Sequence, residues 1–279
     1  MLLSALWGGN PVAIKIGLLD APPLRLGWMR FVLGGLSILL WAWWTGALAA
    51  FRVERGEWKP LGFLGLLFTV QIACLNVGTQ LTSASHSAVL LNAYAVHTVV
   101  LAHFMVPGDR LTLRKLSGAV AGYAGIVILF ARELGSGGAT LLGDLIVSVS
   151  ALFLGERTIY LARAVQRIDP VKLLLAQALL GVAGLSLASL WLEAGTPYRW
   201  TGSLALALLY QGVVVAGFNF TANLWLLKHY RPSALAGFFL TSPLFGVLFA
   251  ALVAGEPLTG AVILSGLLVA IGIGLTSRS

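Results

Sequence analysis

The side chains able to do chemistry are few, and they sit in apolar surroundings. His86 and His97 are eleven residues apart, close to three helical turns, so a continuous helix would carry both on one face. Tyr94 and Thr98 lie within reach of His97, and Asn92 is on the same stretch. Such a stripe offers hydrogen bonds and ring faces to a small ligand. Its other use is to join helices, at about 0.6 kcal/mol per hydrogen bond. Ligand contact is the favoured reading. The spacing is not the i, i+4 pattern of a zinc site, so neither a metal nor a cofactor is expected. No nucleophile–base pair or carboxylate pair suggests catalysis.

Glu156 is the one acid of ten near the middle of an apolar run. In that setting a carboxyl must be neutral, paired or wet. It is a candidate for sensing a proton or an amine, or for a structural ion pair with Lys15, Arg30 or Arg157. The ion pair is favoured. Lys15 and Arg30 fall near helix ends, where a long side chain reaches the interface. Snorkelling is favoured over binding a substrate carboxylate. These three cations are scattered along the chain, which argues against a phosphorylated ligand. Asn76, Gln80, Asn219 and Asn223 are candidate cavity amides. Tyr160 and Phe239 are candidates for an aromatic wall, with Thr241 and Ser242 beside them. Trp7-Gly8-Gly9-Asn10-Pro11 interrupts an apolar stretch where proline removes a backbone bond. It reads equally as a flexible cavity wall, with Trp7 and Asn10 reaching substrate, or as a packing kink. Gly8, Gly9, Pro11 and Pro243 are the candidate hinges.

These residues need elements to position them. The chain of 279 residues is 58% hydrophobic and 10% charged. A soluble domain carries roughly 25% charged residues. The composition therefore specifies an all-α integral membrane protein surrounded by lipid. Spanning helices need about 20 apolar residues, and ten stretches qualify: 2–19, 25–47, 60–81, 84–106, 111–131, 141–163, 170–191, 202–227, 232–254 and 258–276. With the N-terminus in the cytoplasm, 12 Lys and Arg fall on the cytoplasmic side, 3 on the other and 3 within helices. That bias places both termini in the cytoplasm. It also accounts for the net charge of +8 without nucleic acid.

The chain repeats itself at an offset of 147 residues. Gly108-Asp109-Arg110-Leu111-Thr112 matches Gly255-Glu256-Pro257-Leu258-Thr259, Asn76 falls on Asn223, and Gly125 falls on Gly272. Each half, 1–135 and 136–279, then holds five helices. An odd number inverts the second half, and inverted repeats around a central midplane site are a transporter design.

Trp7-Gly8 with Lys15, the duplicated Gly-acid-x-Leu-Thr turn and Thr241-Ser242-Pro243-Leu244 resemble the EamA-type branch of the drug/metabolite transporter superfamily. Within it the chain is most similar to YddG-type bacterial exporters of aromatic and other amino acids. The resemblance implies ten helices around a central cavity and a secondary transporter of the bacterial inner membrane. It further implies alternating access, a small-molecule substrate with a proton as possible partner, and a monomer or weak homodimer. Transport of drugs, toxic cations or other metabolites is the alternative within that class. An intramembrane enzyme is the alternative outside it.

Overall fold

The computed structural model describes residues 2–47, 53–105, 111–133, 139–230, 239 and 241–277. Every regular element among them is helical: α1 Leu2–Gly17, α2 Pro23–Trp44, α3 Trp58–Leu81, α4 Ala84–Asn92, α5 Tyr94–Met105, α6 Leu113–Glu133 and α7 Ala139–Ala164. They continue with α8 Pro170–Leu192, α9 Gly202–Leu209, a π-helical segment Tyr210–Asn219, α10 Phe220–His229, α11 Ser242–Ala254 and α12 Gly260–Ser277. Local sequence sets many boundaries. Pro23 and Pro170 open their helices, where a missing N–H costs nothing. Ser83 and Thr201 accept from the backbone three residues on. Gly255 ends α11 at φ 68°, a left-handed conformation that glycine adopts without strain.

Among the described residues, six helical stretches are long and apolar enough to cross a membrane: Pro23–Trp44, Trp58–Leu81, Ala84–Met105, Thr140–Ala164, Pro170–Leu192 and Gly202–His229. The chain is therefore a multi-pass membrane protein. Four of the ten expected spans are not among these. α1 has 16 residues and would span about 24 Å. α12 is apolar but short, α11 is short among the described residues because 232–238 and 240 of the expected span 232–254 lie outside them, and α6 carries charged residues at both ends.

Helices pair closely as α6 with α12, α3 with α7, α2 with α8, and α1 with α11. Small residues permit this. A Cβ on Gly8 would sit 2.6 Å from the Ser242 carbonyl oxygen, and one on Gly272 would sit 2.6 Å from that of Gly118. The Gly118-x-x-x-Gly122 face of α6 is thus covered by α12 of the same chain. Outward surfaces carry exposed leucines such as Leu40, Leu66 and Leu190. Exposed Trp43, Trp44, Trp58 and Trp225 ring one end, and Trp191, Tyr198 and Trp200 mark the other, as at the two membrane interfaces.

Two expectations about helix breaks change. α1 runs unbroken across Pro11. Proline removes one N–H, and side chains of the π-helical segment supply others: Tyr210 Oη donates to Leu6 O (2.7 Å), Gln211 to Ala13 O (3.0 Å) and Asn219 to Leu3 O (3.2 Å). The long helix after Ser83 instead tightens for one turn at Ala93, which keeps helical backbone angles. There the Asn92 amide donates to Ala88 O, and the Ala93 N–H bonds Leu90 O across a tighter turn.

Candidate functional site

The interior of the bundle holds a cavity in two adjoining chambers. The wider one is lined by Trp7, Phe31, Phe68, Tyr94, Arg157, Thr158, Gln177, Phe220 and Asn223, with Ile38, Leu161, Leu174, Leu224 and Leu227 toward one end. The deeper one shares Trp7, Phe31, Leu154, Arg157, Ala216 and Phe220, and adds Asn10, Arg30, Gln71 and Gln211. Their volumes are about 40 and 10 Å³. That is room for water, whereas organic ligands occupy sites of roughly 300–1,000 Å³. Two larger hollows lie on the outer surface and are overwhelmingly apolar. The inner cavity is where polar groups converge.

Aromatic rings form its wall. Trp7 lies 5.7 Å from Phe220, 5.8 Å from Phe239 and 6.1 Å from Tyr94, centroid to centroid. Phe31 and Phe68 meet edge to face at 4.6 Å. The two arginines rest on this wall. The Arg157 guanidinium carbon is 4.9 Å from the Phe68 centroid, and that of Arg30 is 4.6 Å from Phe31. A ring face offers negative charge to a desolvated cation. Arg157 Nη1 also donates to Gln177 Oε1 (3.0 Å), and Arg30 Nη1 donates to Gln211 Oε1 (3.1 Å). Far apart in sequence, the two arginines line one chamber.

Of the candidates named from sequence, Trp7, Asn10, Arg30, Tyr94, Arg157 and Asn223 line the cavity. Buried Phe239 backs it through Trp7. The others lie elsewhere. Glu156 is half-buried, does not line either chamber, and makes no ion pair with the three cations. On a helix it points about 100° from its neighbour Arg157, which faces in. Lys15 lies at one end of the bundle and does not line the cavity. Its Nζ donates to the carbonyls of Thr79, Gln80 and Thr82 and so caps α3. The two histidines, about 16 Å apart along the helix axis, meet different neighbours. His86 Nδ1 is 2.9 Å from Asp144 Oδ2 on α7, and His97 Nδ1 is 2.7 Å from Tyr123 Oη on α6. Asn76 donates to Pro23 O, Gln80 is exposed, and Tyr160 packs edge-on to Phe63. Ser242 is buried under Gly8, and Thr241 precedes the first turn of α11, which Pro243 opens. Gly9 lies against Tyr210.

The sequence gives no site role to Phe31, Phe68, Phe220, Gln71, Gln211 or Asp144. A glutamine inside an apolar span was a usable signal, because it seeks partners away from lipid. The phenylalanines gave none, since the same residue suits lipid, packing and a pocket wall alike.

One end of the bundle is tied by charged groups. Asp144 is fully buried between His86 and Thr82. The Glu193 carboxylate accepts from the backbone N–H groups of Leu24 (2.6 Å) and Arg25 (2.9 Å), and Glu256 accepts from those of Ala84 (2.6 Å) and Ser85 (2.9 Å). A carboxylate at a helix N-terminus is favoured by the exposed N–H groups and the dipole. In the α1–α2 loop, Asp20 accepts from Thr201 and Ser203 and lies 3.5 Å from Arg199. The Thr201 hydroxyl above all, then Ser203 and Arg199, hold its carboxyl below the usual range.

The sequence model of the EamA-like transporter family matches residues 1–131 and 141–278. The chain is 25% identical to the uncharacterized transporter YoaV of Bacillus subtilis, over 97% of this chain and 92% of that protein. It is 26% identical to a probable amino-acid metabolite efflux pump of Escherichia coli, over 98% and 91%. It is 27% identical to the uncharacterized inner membrane transporter YedA of Escherichia coli, over 92% and 82%. A crystal structure of a protein 22% identical superposes with a TM-score of 0.73, covering 98% of this chain and 93% of that one, which shows a shared fold.

Proposed function

Because the chain belongs to the EamA-like transporter family, we propose that it exports amino acids, aromatic and other neutral ones foremost, or related small metabolites. The observation that carries this reading is the inner cavity, where Trp7, Phe31, Tyr94 and Phe220 stand beside Arg30, Arg157 and side-chain amides. An aromatic wall suits an apolar side chain, and convergent polar groups suit an amino acid backbone. The probable amino-acid metabolite efflux pump among its relatives agrees in class.

The route is alternating access between two inverted halves, with ten helices crossing the bacterial cytoplasmic membrane and both termini in the cytoplasm. Three features support this. The family model matches each half. Helices at equivalent places in the two halves pack on each other, α2 on α8 and α6 on α12. The cavity is too contracted for an organic substrate, so occupancy requires another conformation. The basic residues and the inner membrane relative support the orientation and the membrane. The transporter works as a monomer or weak homodimer, with a proton as the coupling ion and Glu156 as its candidate carrier.

Export of toxic cations fits less well, since no carboxylate lines either chamber among the described residues. Liposomes containing the protein should release labelled phenylalanine faster than protein-free liposomes. Equal release rates for every amino acid tried would end the amino-acid reading. A Glu156→Gln variant that keeps the full pH dependence of flux would remove Glu156 from the coupling.

A further inference from the structure

The deeper chamber holds more hydrogen-bonding capacity than the protein satisfies. Five of its buried side chains each keep one polar atom that no group among the described residues answers. Three are donors: Trp7 Nε1, Arg30 Nε and Arg157 Nε. Two are acceptors: Asn10 Oδ1 and Gln71 Oε1. Leaving one such group unpaired costs roughly 1–3 kcal/mol, and more when it is charged. Neither arginine has a carboxylate partner among the described residues; the hydrogen-bond acceptors they meet are the neutral amides of Gln211 and Gln177.

The set also follows the repeat. The 147-residue offset carries Asn10 onto Arg157 and Arg30 onto Gln177 (10 + 147 and 30 + 147). Each copy places one amide and one guanidinium at the same two positions, in opposite order. The chamber thereby receives one cation from each copy, on α2 and on α7.

We propose that this chamber is a carboxylate seat: Arg30, Arg157 and Trp7 donate to a carboxylate, and Asn10 and Gln71 accept from an ammonium group when the molecule carries one. An anion between two guanidinium groups gains charge-assisted, fork-shaped hydrogen bonds. An amine without a carboxylate meets two like charges and only two neutral acceptors. The adjoining aromatic wall then receives the rest of the molecule. The seat therefore takes zwitterions and small organic anions and refuses organic cations. It rests on the reading of this cavity as the substrate path.

The test compares three probes of one shape on the purified full chain: 3-phenylpropionate, L-phenylalanine and 2-phenylethylamine. A ligand that binds only the folded state raises the thermal midpoint. Both carboxylates should raise it, and the amine should leave it unchanged. Arg157→Gln and Arg30→Gln should each weaken carboxylate binding roughly tenfold or more. Gln71→Leu should weaken phenylalanine more than phenylpropionate. Stabilisation by phenylethylamine equal to that by the carboxylates, or by no carboxylate at all, overturns the seat. The wild-type comparison decides this even if a variant fails to fold. Flux separates the two readings. If carboxylates stabilise through Arg157 while labelled phenylalanine does not cross liposomes, the seat stands and the amino-acid transport reading falls. If phenylalanine crosses and phenylethylamine competes equally, transport stands and the seat falls.

Discussion

At the end of the bundle formed by Asp20, Glu193 and Glu256, helices are joined through carboxylates, a lysine and a buried histidine. At the other end, by the α7–α8 turn, they meet through Ile38, Leu161, Leu174, Leu224 and Leu227. Among the described residues its polar ties include Lys172 with Glu57 at 3.1 Å, and Gln166 with the carbonyls of Leu227 and Lys228. The two closures come apart differently. A hydrogen-bonded charge loses its energy over a fraction of an ångström and must be resolvated at once. Apolar surfaces separate gradually and without preferred geometry. If the halves rock as proposed above, this contrast makes the leucine end the one expected to yield and the charged end the latch.

This contrast can be broken or sharpened by substitution. The largest effect is expected at Asp144. Asp144→Ala leaves His86 and Thr82 without their buried partner and should destabilise the protein by about 3 kcal/mol, read from thermal or denaturant unfolding. A change no larger than that of an exposed substitution would show that the buried cluster is not a latch. Next, Leu174→Ala should remove about 2–3 kcal/mol from the leucine end. It should also speed labelling of a Thr158→Cys probe by a soluble maleimide applied from that side. Unchanged labelling would place the yielding point elsewhere. Lys15→Met takes a charged donor from three carbonyls at the end of α3 and should cost about 1.5 kcal/mol.

The smallest effect concerns acid. The Asp20 carboxyl titrates lower in the folded protein than in the unfolded chain, chiefly because Thr201 donates to it. Its contribution is present above the ordinary aspartate value, about pH 4, and is lost as pH falls through the lower folded value. Thr201→Val also removes the hydroxyl that caps α9, so it should lower the midpoint at every pH, and by more at pH 7 than in acid, where only the loss of the cap remains. Glu57 is held low in the same sense, first by the Glu54 backbone and then by Lys172. Acid consequently slackens one tie at the leucine end as well, and Glu57→Gln separates that contribution.

The chain's own order of residues determined the membrane class, the repeat and most helix boundaries. Each of these rests on local or periodic information: apolar runs of about 20, the prolines at 23 and 170, and the matching turns at 108–112 and 255–259. It also marked Trp7, Asn10, Arg30 and Arg157 as unusual for their surroundings, because polar groups in lipid need a reason. What it left open was which of these groups meet. Glu156 and Arg157 are neighbours in sequence yet point about 100° apart, and only packing shows that the arginine faces the cavity. His86 and His97 share a face by spacing, but packing gives one Asp144 on α7 and the other Tyr123 on α6. Arg30 and Arg157 looked scattered until α2 and α7 brought them to one chamber. The convergence of distant side chains depends on helix rotation and crossing, and these are set by contacts between segments remote in sequence, such as Gly8 against Ser242.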